Sequence, residues 1–453
     1  MTARARRVGL PLAALAVGFL VSLGVGVSPA RAADPTFGTP TIVTTFGTGI
    51  DFRQPVTLDG PAARVELLVT EADAIGPQVI EVLPPATTGS VVLEHKLSTA
   101  ADGHLLPNTP ISARWRLTPT AGADPILGPE LKTVYADDRF QWRTVAGDIV
   151  RVHWYQGSQA FGQRALRIGE DAIAKTSKLL GVTEDQPIDF FIYADQAAFY
   201  DALGPGTREN VGGQANAGIR TLFALIGPNG IDDPWVSIVV PHELVHLVFD
   251  TAVSNPYHFP PRWLNEGLAV YLSQGYDAGD RRSVEAAANA GTLLPLAGLG
   301  GNFPTSRDGF GLAYAESVSA VDDLIRTYGQ DALVALIRSY ADGRTDDEAF
   351  QAAIGVDVAG FDAAWLHDVG AALPVPEGPQ PAPPGPQPPG WAGTGATTPV
   401  PPASTVPAPG TPAQGGPAGS TTPVIVLIAI LVALGALILA LFLGRRRRGD
   451  LPT

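Results

Sequence analysis

The chain of 453 residues contains no cysteine, which excludes disulfides, thiolate metal ligands and a cysteine nucleophile. Positive charge is also scarce, with 30 Lys and Arg against 44 Asp and Glu and a formal net charge of -14. A body of this charge is unsuited to binding nucleic acid or anionic lipid. Histidine is rare as well, with seven in the whole chain, so any pair of closely spaced histidines is informative.

The N-terminus has the pattern of a secretory signal peptide. Three arginines among the first seven residues precede the apolar run VGLPLAALAVGFLVSLGVGV, and an Ala-x-Ala cleavage site follows at Ala30–Ala32. This order predicts a signal peptide over residues 1–32. An uncleaved anchor is the alternative because the run is long, but Pro11, the glycines and the cleavage site favour cleavage.

A second apolar run, PVIVLIAILVALGALILALFLG at residues 423–444, is followed by RRRR. About 20 apolar residues suffice to cross the ~30 Å hydrocarbon layer, so this run predicts one transmembrane helix. The arginines predict that the tail, residues 445–453, is cytoplasmic. A cleaved lipid-anchor signal or a wall-sorting signal would not end in this way. We therefore expect a single-pass cell-membrane protein whose body is extracellular.

Residues 374–422 are rich in proline and glycine, as in PVPEGPQPAPPGPQPPGW. Dense proline favours extended polyproline II, and the apolar content is too low for a folded core. We predict a disordered stalk, which at ~3.1 Å per residue could reach on the order of 150 Å. Such a stalk would hold the body away from the membrane.

The region over residues 33–147 is predicted to be an all-β, sandwich-like accessory domain. Short runs such as ARVELLVTEA, QVIEVL, SVVLEHKL and ISARWRLTPT alternate with Gly, Pro and Asp turns. Its two histidines, His95 and His104, are isolated and are interpreted as surface or packed side chains. Substrate or surface binding is the role we expect for this domain, although no residue in it identifies a ligand.

Residues 148–373 change in pattern and predict an α+β catalytic domain. Strand-like runs IVRVHWY and PIDFFIYAD alternate with helical runs FGQRALRIGEDAIAKTSKLLG and QAAFYDAL. Helical patterns then dominate, as in PPRWLNEGLAVYLSQG, AYAESVSAVDDLIRTYG, QDALVALIRSYADG and TDDEAFQAAIG. Strands first and helices later are typical of the α+β class.

The stretch VVPHELVHLVFD places His242, Glu243 and His246 in an otherwise apolar segment. Buried ionisable groups need compensation, by a metal ion or by a hydrogen-bond network, unless they face water. On a helix, His242 and His246 lie on one face because they are four residues apart. Glu243 is adjacent and offset, so the pattern is that of two zinc ligands and a general base.

A catalytic zinc needs a third protein ligand and one open position. Glu266 lies about 20 residues downstream in the amphipathic segment WLNEGLAVYL, which follows a helix start marked by Pro260–Pro261. A glutamate on the helix surface is the alternative. The small neighbours Gly267 and Ala269 favour close helix packing, so Glu266 is our candidate third ligand.

HELVH followed by WLNEGLAVY resembles the gluzincin-type zinc metallopeptidases, and most closely the peptidase MA-like domains of bacterial secreted proteins. The resemblance covers roughly residues 148–370 and implies a zincin-like fold, one Zn2+ per chain and hydrolysis of peptide bonds. It implies that Glu266 is the third ligand and that a strand beside the cleft, within Gly212–Leu225, pairs with extended substrate. It also suggests Tyr314, in GLAYAES, as the hydroxyl that stabilises the oxyanion, and a core tyrosine is the alternative.

Four further residues bear on this site. Pro241 directly precedes His242, and it is either an interior proline of a helix that begins at Asp233–Pro234 or a first-turn proline of a shorter helix. Asp250 could orient an imidazole, but we favour a helix-end carboxylate that faces water. His258 and Asn265 are weaker candidates, for lining the cleft and for binding backbone near the site.

The sequence thus predicts a membrane-anchored extracellular zinc metallopeptidase acting on peptide or protein substrates. The predicted metal ligands are His242, His246 and Glu266, with Glu243 and Tyr314 as catalytic residues. Two alternatives stay open: another zinc-dependent hydrolysis, and a surface binding module whose peptidase-like domain is inactive. The intact general base Glu243 argues against the second.

Overall fold

The computed structural model describes residues 34–72, 74–99, 103–205, 212–255 and 259–372. The predicted signal peptide, stalk, transmembrane helix and cytoplasmic tail all lie outside these residues, and they stay predictions. Within the described residues, a β-rich region is followed by a mixed region in which helices dominate. The predicted order, an all-β domain followed by an α+β domain, is therefore confirmed.

The described residues of the N-terminal region form nine strands in two antiparallel sheets. The strands are β1 (Thr36–Phe37), β2 (Thr41–Thr45), β3 (Gly49–Leu58), β4 (Arg64–Glu71), β5 (Gln78–Val82), β6 (Gly89–Ser98), β7 (Thr109–Thr118), β8 (Ile126–Leu127) and β9 (Leu131–Tyr135). In one sheet β3 pairs with β1, β2 and β6, and in the other β7 joins β4 to β8 and β9, with β5 beyond β4.

Alternation of apolar and polar residues explains why these strands form two facing sheets. Along β3 and β7 every second side chain is buried, as expected when one face of a strand packs and the other meets water. Phe52 and Trp115, one from each sheet, are among the largest buried side chains of a core that belongs to this region alone.

A third sheet opens the second region. Its strands are β10 (Arg143–Ala146), β11 (Val150–Trp154), β12 (Ile188–Tyr193), β13 (Gly213–Asn216) and β14 (Thr221–Leu225), in the order β10-β11-β12-β14-β13. The three central strands are parallel, whereas β10 and β13 are antiparallel edges. The sheet thus begins at Arg143, five residues before the domain boundary predicted at 148.

Nine helices complete the described part of this region: α1 (Gln159–Leu180), α2 (Gln196–Leu203), α3 (Val236–Val253), α4 (Arg262–Ser273), α5 (Ala278–Ala290), α6 (Arg307–Tyr328), α7 (Gln330–Ser339), α8 (Asp346–Ile354) and α9 (Val358–Asp368). The helix α1 is capped by the Ser158 side chain and ends at Gly181 in the left-handed conformation, as its sequence favours. The sheet and all of these helices except α2 share one hydrophobic core, whereas α2 packs in a smaller cluster with Tyr193 and Phe223.

The segment Gly212–Leu225, expected to contain one strand beside the cleft, folds as a hairpin. Its first half is the edge strand β13, and the chain reverses through Ala217–Arg220 into the inner strand β14. The edge position is therefore confined to Gly213–Asn216.

Polar contacts join the sandwich to the third sheet. Asn108 donates from Nδ2 to Asp189 and to Thr221, both at 2.9 Å. His104 lies with Nε2 at 2.9 Å from the carbonyl oxygen of Ala202, and it is an exposed histidine, as one of the two interpretations expected. The sandwich therefore packs directly on the domain that carries the ionisable motif.

Among the described helices, α3 alone is long and apolar enough to span a membrane by length and composition. Twelve of its eighteen residues are buried inside the protein. A helix that is apolar on most of its surface and covered by other elements is a core helix. This position explains why its ionisable residues are withdrawn from water.

Candidate metal centre

Helix α3 carries the H-E-x-x-H motif and begins at Val236, three residues after Asp233. Pro241 is the sixth residue of this helix, so the alternative with an interior proline describes the structure better. The proline lacks the N–H that would bond to the carbonyl of Ser237, yet the helix continues without a break to Val253. The ligand-bearing turn therefore follows directly after the proline.

The imidazoles of His242 and His246 lie on one face of α3, as their spacing predicts. Their rings are nearly perpendicular with centroids 4.9 Å apart, and the two Nε2 atoms are separated by 3.3 Å. The side chain of His242 is 1% exposed and that of His246 is 13% exposed. Both rings thus present one nitrogen to the same buried point.

Helix α4 brings Glu266 to that point. The helix starts directly after Pro260 and Pro261, and Glu266 lies in its second turn with a side chain that is 1% exposed. Its Oε2 atom is 3.4 Å from His242 Nε2 and 3.6 Å from His246 Nε2. Three donor atoms from two helices therefore form a triangle with sides of 3.3, 3.4 and 3.6 Å.

The triangle matches what a zinc ion requires. Zinc bonds to imidazole nitrogen and carboxylate oxygen are about 2.0–2.2 Å long, so tetrahedral geometry separates two ligand atoms by about 3.3–3.6 Å. These separations are longer than ordinary hydrogen bonds, and Glu266 Oε2 has no hydrogen-bond partner among the described residues. A buried carboxylate oxygen that faces two imidazole nitrogens at these distances fits a cation that all three share.

The protonation states at the triangle suit metal binding. Burial lowers the pKa of His246 to about 4, so this imidazole is neutral at neutral pH. Burial opposes the ionisation of Glu266, but the adjacent imidazoles and Arg262 outweigh it and lower its pKa. Neutral imidazole and anionic carboxylate are the forms that coordinate a metal.

Glu243 lies beside the triangle with its side chain buried against the edge strand. Its Oε2 accepts a hydrogen bond of 3.0 Å from the backbone N–H of Ala215 on β13. Close approach of β13 to α3 is possible because Gly213 has no side chain, since a Cβ there would lie 3.2 Å from Glu243 Cγ. Burial raises the pKa of Glu243 to about 7, which suits a general base working near neutral pH.

Tyr314 on α6 lies close to His242. Its ring centroid is 6.3 Å from that of His242, and its ring packs against those of Phe303 and Phe310. Burial, reinforced by the charge of Glu266, raises the pKa of Tyr314 well above its ordinary value. The hydroxyl therefore keeps its proton and can serve as a hydrogen-bond donor at the site.

Asn265 has a different contact from the backbone role expected from the sequence. Its Oδ1 lies 2.9 Å from His246 Nδ1, so it accepts the imidazole N–H and leaves Nε2 free to bind a metal. Asp250 lies one turn beyond His246 and is half-buried. The Nδ1 atom of His246 meets Asn265 on α4. His258 lies outside the described residues.

Sequence reasoning missed Arg262, which occupies the turn before Glu266. Its Nε is 3.4 Å from Glu266 Oε1, the carboxylate oxygen that lies outside the triangle. An arginine four residues before a candidate ligand, on a helix bordered by apolar residues, is the signal that could have identified it.

Gly267 explains how α4 reaches the site. A Cβ at this position would overlap the backbone carbonyl of Ser317, so α4 and α6 are in backbone contact there. The small residue was expected to allow close helix packing, and the partner is the helix that carries Tyr314. The packing therefore fixes Glu266 and Tyr314 relative to each other.

Similar solved structures include an M1 zinc metallopeptidase from Deinococcus radiodurans, with 15% sequence identity, a TM-score of 0.36 and coverage of 74% of this chain and 93% of that one. An aminopeptidase N family protein from Idiomarina loihiensis has 10% identity and a TM-score of 0.40, with coverage of 71% of this chain and 74% of that one. No curated protein matches the chain.

A protein-family model matches residues 168–371. This range includes the three residues of the triangle as well as Glu243 and Tyr314. The family is the Peptidase MA superfamily. The matched part begins within α1 and ends just beyond α9, so it covers the helical part of the second region. The predicted resemblance to peptidase MA-like domains is thereby confirmed, since residues 168–371 match the Peptidase MA superfamily.

Proposed function

We propose that this protein is a zinc-dependent metallopeptidase that hydrolyses peptide bonds in peptides or proteins. One Zn2+ per chain would be held by His242, His246 and Glu266. The observation that carries the proposal is the triangle of their donor atoms, whose sides of 3.3–3.6 Å equal the spacing in a tetrahedral zinc site. The match to the Peptidase MA superfamily supports the peptidase activity.

Zinc, when bound, supplies Lewis acidity that polarises a peptide carbonyl and favours deprotonation of water. Glu243 then accepts the proton of the attacking water and delivers it to the leaving amine, because its carboxylate is buried beside the triangle. Tyr314 donates a hydrogen bond to the developing oxyanion. Asn265 keeps His246 in the tautomer whose Nε2 is free.

The edge strand β13 is suited to hold an extended substrate. The carbonyl of Gly212 accepts from Leu225 N–H on β14, so alternate residues of β13 face that partner. Gly213 and Ala215 therefore direct their backbone groups away from β14, and Ala215 N–H meets Glu243. A peptide that pairs with this edge would place its backbone beside the general base.

The first test is elemental analysis of the purified full-length chain. We expect about one zinc per wild-type chain, and its loss in folded His246→Ala and Glu266→Ala variants. His95→Ala is the matched control because His95 lies on β6 of the sandwich, and it should keep its zinc. Absence of zinc from the wild type after supplementation would reject the proposed metal site.

We also propose that the peptidase body is extracellular and anchored by the helix over residues 423–444. The support is the apolar run, the arginines that follow it and the N-terminal signal pattern. The full chain should remain with membranes after alkaline carbonate washing, and a chain truncated before residue 423 should be released. Release of both would contradict the anchor.

A further inference from the structure

Glu266 has two carboxylate oxygens, and they have different surroundings. Oε2 faces the two imidazole nitrogens, whereas Oε1 lies 3.4 Å from the Nε atom of Arg262. A carboxylate can bind zinc through one oxygen or through both. The Tyr314 hydroxyl also hydrogen-bonds to Glu266, so Arg262 is the charged one of two groups outside the triangle that engage this carboxylate. The groups that engage Oε1 determine how many oxygens remain for the metal.

Arg262 is held in place at its backbone and at its guanidinium. Its backbone N–H donates to the carbonyl of Gly300 at 2.9 Å, and its Cζ atom stands 4.2 Å from the ring centroid of Phe303. The residue is 8% exposed. A buried guanidinium stacked on an aromatic ring is a fixed cation, and it does not lose its proton in a protein.

We propose that Arg262 is a positioning residue that makes Glu266 a single-oxygen ligand. By engaging Oε1, the guanidinium leaves Oε2 as the donor, so the three protein ligands contribute three atoms and one position stays open. Arg262 also balances the buried carboxylate before the metal arrives. The inference rests on the proposed zinc site, and it concerns the way in which that site is held.

A purely structural role for Arg262 would give different behaviour. If the side chain only fills space over Phe303, then methionine, which is apolar and of similar reach, should replace it without effect on the metal. If it acts through Glu266, its removal should weaken metal binding. Metal affinity therefore separates the two roles independently of peptidase activity.

The experiment measures zinc affinity of the full-length chain by competition with a chromophoric chelator. We expect Arg262→Met to weaken zinc binding by about 10–100-fold, the usual effect of losing a residue that orients a ligand. Arg281→Met is the matched control, because Arg281 also stands over an aromatic ring, 4.1 Å from that of Tyr276, outside the site. Its affinity should equal that of the wild type.

Cobalt substitution gives a second readout. The visible bands of Co2+ weaken when the coordination number rises, so binding through both carboxylate oxygens in Arg262→Met should reduce their intensity. Wild-type affinity together with an unchanged cobalt spectrum in Arg262→Met would overturn the proposal.

Misfolding of Arg262→Met and absence of zinc from the wild type have different meanings. If Arg262→Met does not fold, Arg262→Lys carries the test, since it keeps the charge but lacks the guanidinium. Zinc affinity within twofold of wild type and an unchanged cobalt spectrum in that variant would overturn the proposal, whereas weaker binding with reduced bands would support it. A wild type that binds no zinc would instead reject the proposed function, so the two failures are distinguishable.

Discussion

Replacing Glu316 with glutamine should stabilise the protein, and the gain should grow with pH. Glu316 lies on α6 and is fully buried, and burial together with Asp362 raises its pKa from 4.5 to about 8. Its Oε1 accepts from the backbone N–H of Leu294 at 3.1 Å, but Oε2 has no partner among the residues that the structure describes. The carboxyl group is therefore neutral in the folded protein at pH 7.

The sign of the effect follows from the two pKa values. In the unfolded chain Glu316 ionises near 4.5, so folding takes up a proton at any pH between 4.5 and about 8. Its contribution to stability is complete below pH 4.5 and is lost progressively as the pH rises to about 8. The slope is about 1.4 kcal/mol per pH unit and falls off close to each pKa, so the loss between pH 5 and pH 8 is about 3–4 kcal/mol.

Glu316→Gln keeps the shape and the acceptor for Leu294 but does not ionise. Urea unfolding of both proteins, followed by tryptophan fluorescence, should give similar unfolding free energies at pH 5. At pH 8 the variant should be more stable by about 3–4 kcal/mol. Glu285→Gln, at an exposed position of α5, is the control and should show no such trend. A Glu316→Gln advantage that stays within ~1 kcal/mol from pH 5 to pH 8 would refute this reasoning.

Three further substitutions test the site and its support. Glu243→Gln should lower cleavage of a peptide library by about 10²–10⁴-fold while zinc content, measured by elemental analysis, is unchanged. Gly213→Val should crowd Glu243 and reduce the cleavage rate with zinc retained, as the same two assays would show. Gly267→Ala should lower the unfolding free energy in urea by about 1–3 kcal/mol because α4 and α6 must separate. Gly311 lies in α6 with open space around its missing Cβ, so Gly311→Ala should raise the unfolding free energy by about 0.5–1 kcal/mol. Equal effects at both glycines would contradict the packing argument.

The candidate site could be predicted from the sequence because most of its geometry is local. His242 and His246 are placed by the pitch of a single helix, and no long-range contact is needed to bring them together. The position of Glu266 depends on the packing of α4 against α3 and α6. Its prediction needed the family resemblance and the small residue Gly267 in addition to the helix pattern.

The partners of the ligands could not be predicted in the same way. Asn265 and Arg262 both lie on α4, and which of them meets His246 depends on the rotation of that helix about its axis. The amphipathic pattern of α4 predicts which face of the helix is buried, but it does not predict the rotation to within one residue. Asn265 was therefore assigned a backbone contact, and Arg262 was not singled out.

Elements were missed where the apolar pattern is weak. Helix α5, with the sequence AGDRRSVEAAANA, buries only Val284 and Ala287, so no apolar stripe marks it. The sequence predicts one cleft strand where the structure has the hairpin of β13 and β14, because apolar and polar residues do not alternate in GGQANAGIR and so do not show where the chain reverses. The reversal includes Arg220, whose φ of 48° is uncommon for a residue other than glycine, so its identity did not predict the turn.

Burial of a carboxylate does not by itself identify a metal ligand, as two glutamates of this domain show. Glu266 and Glu316 are equally withdrawn from water, yet the pKa of Glu266 is lowered and that of Glu316 is raised. Glu266 faces two imidazoles and a guanidinium, whereas the charge near Glu316 is a second acid, Asp362. Only Glu266 is therefore kept ionised, as a ligand must be. The apolar helix α3 tolerates its histidines because they share that ionised oxygen, and a cation bound there would compensate all three groups together.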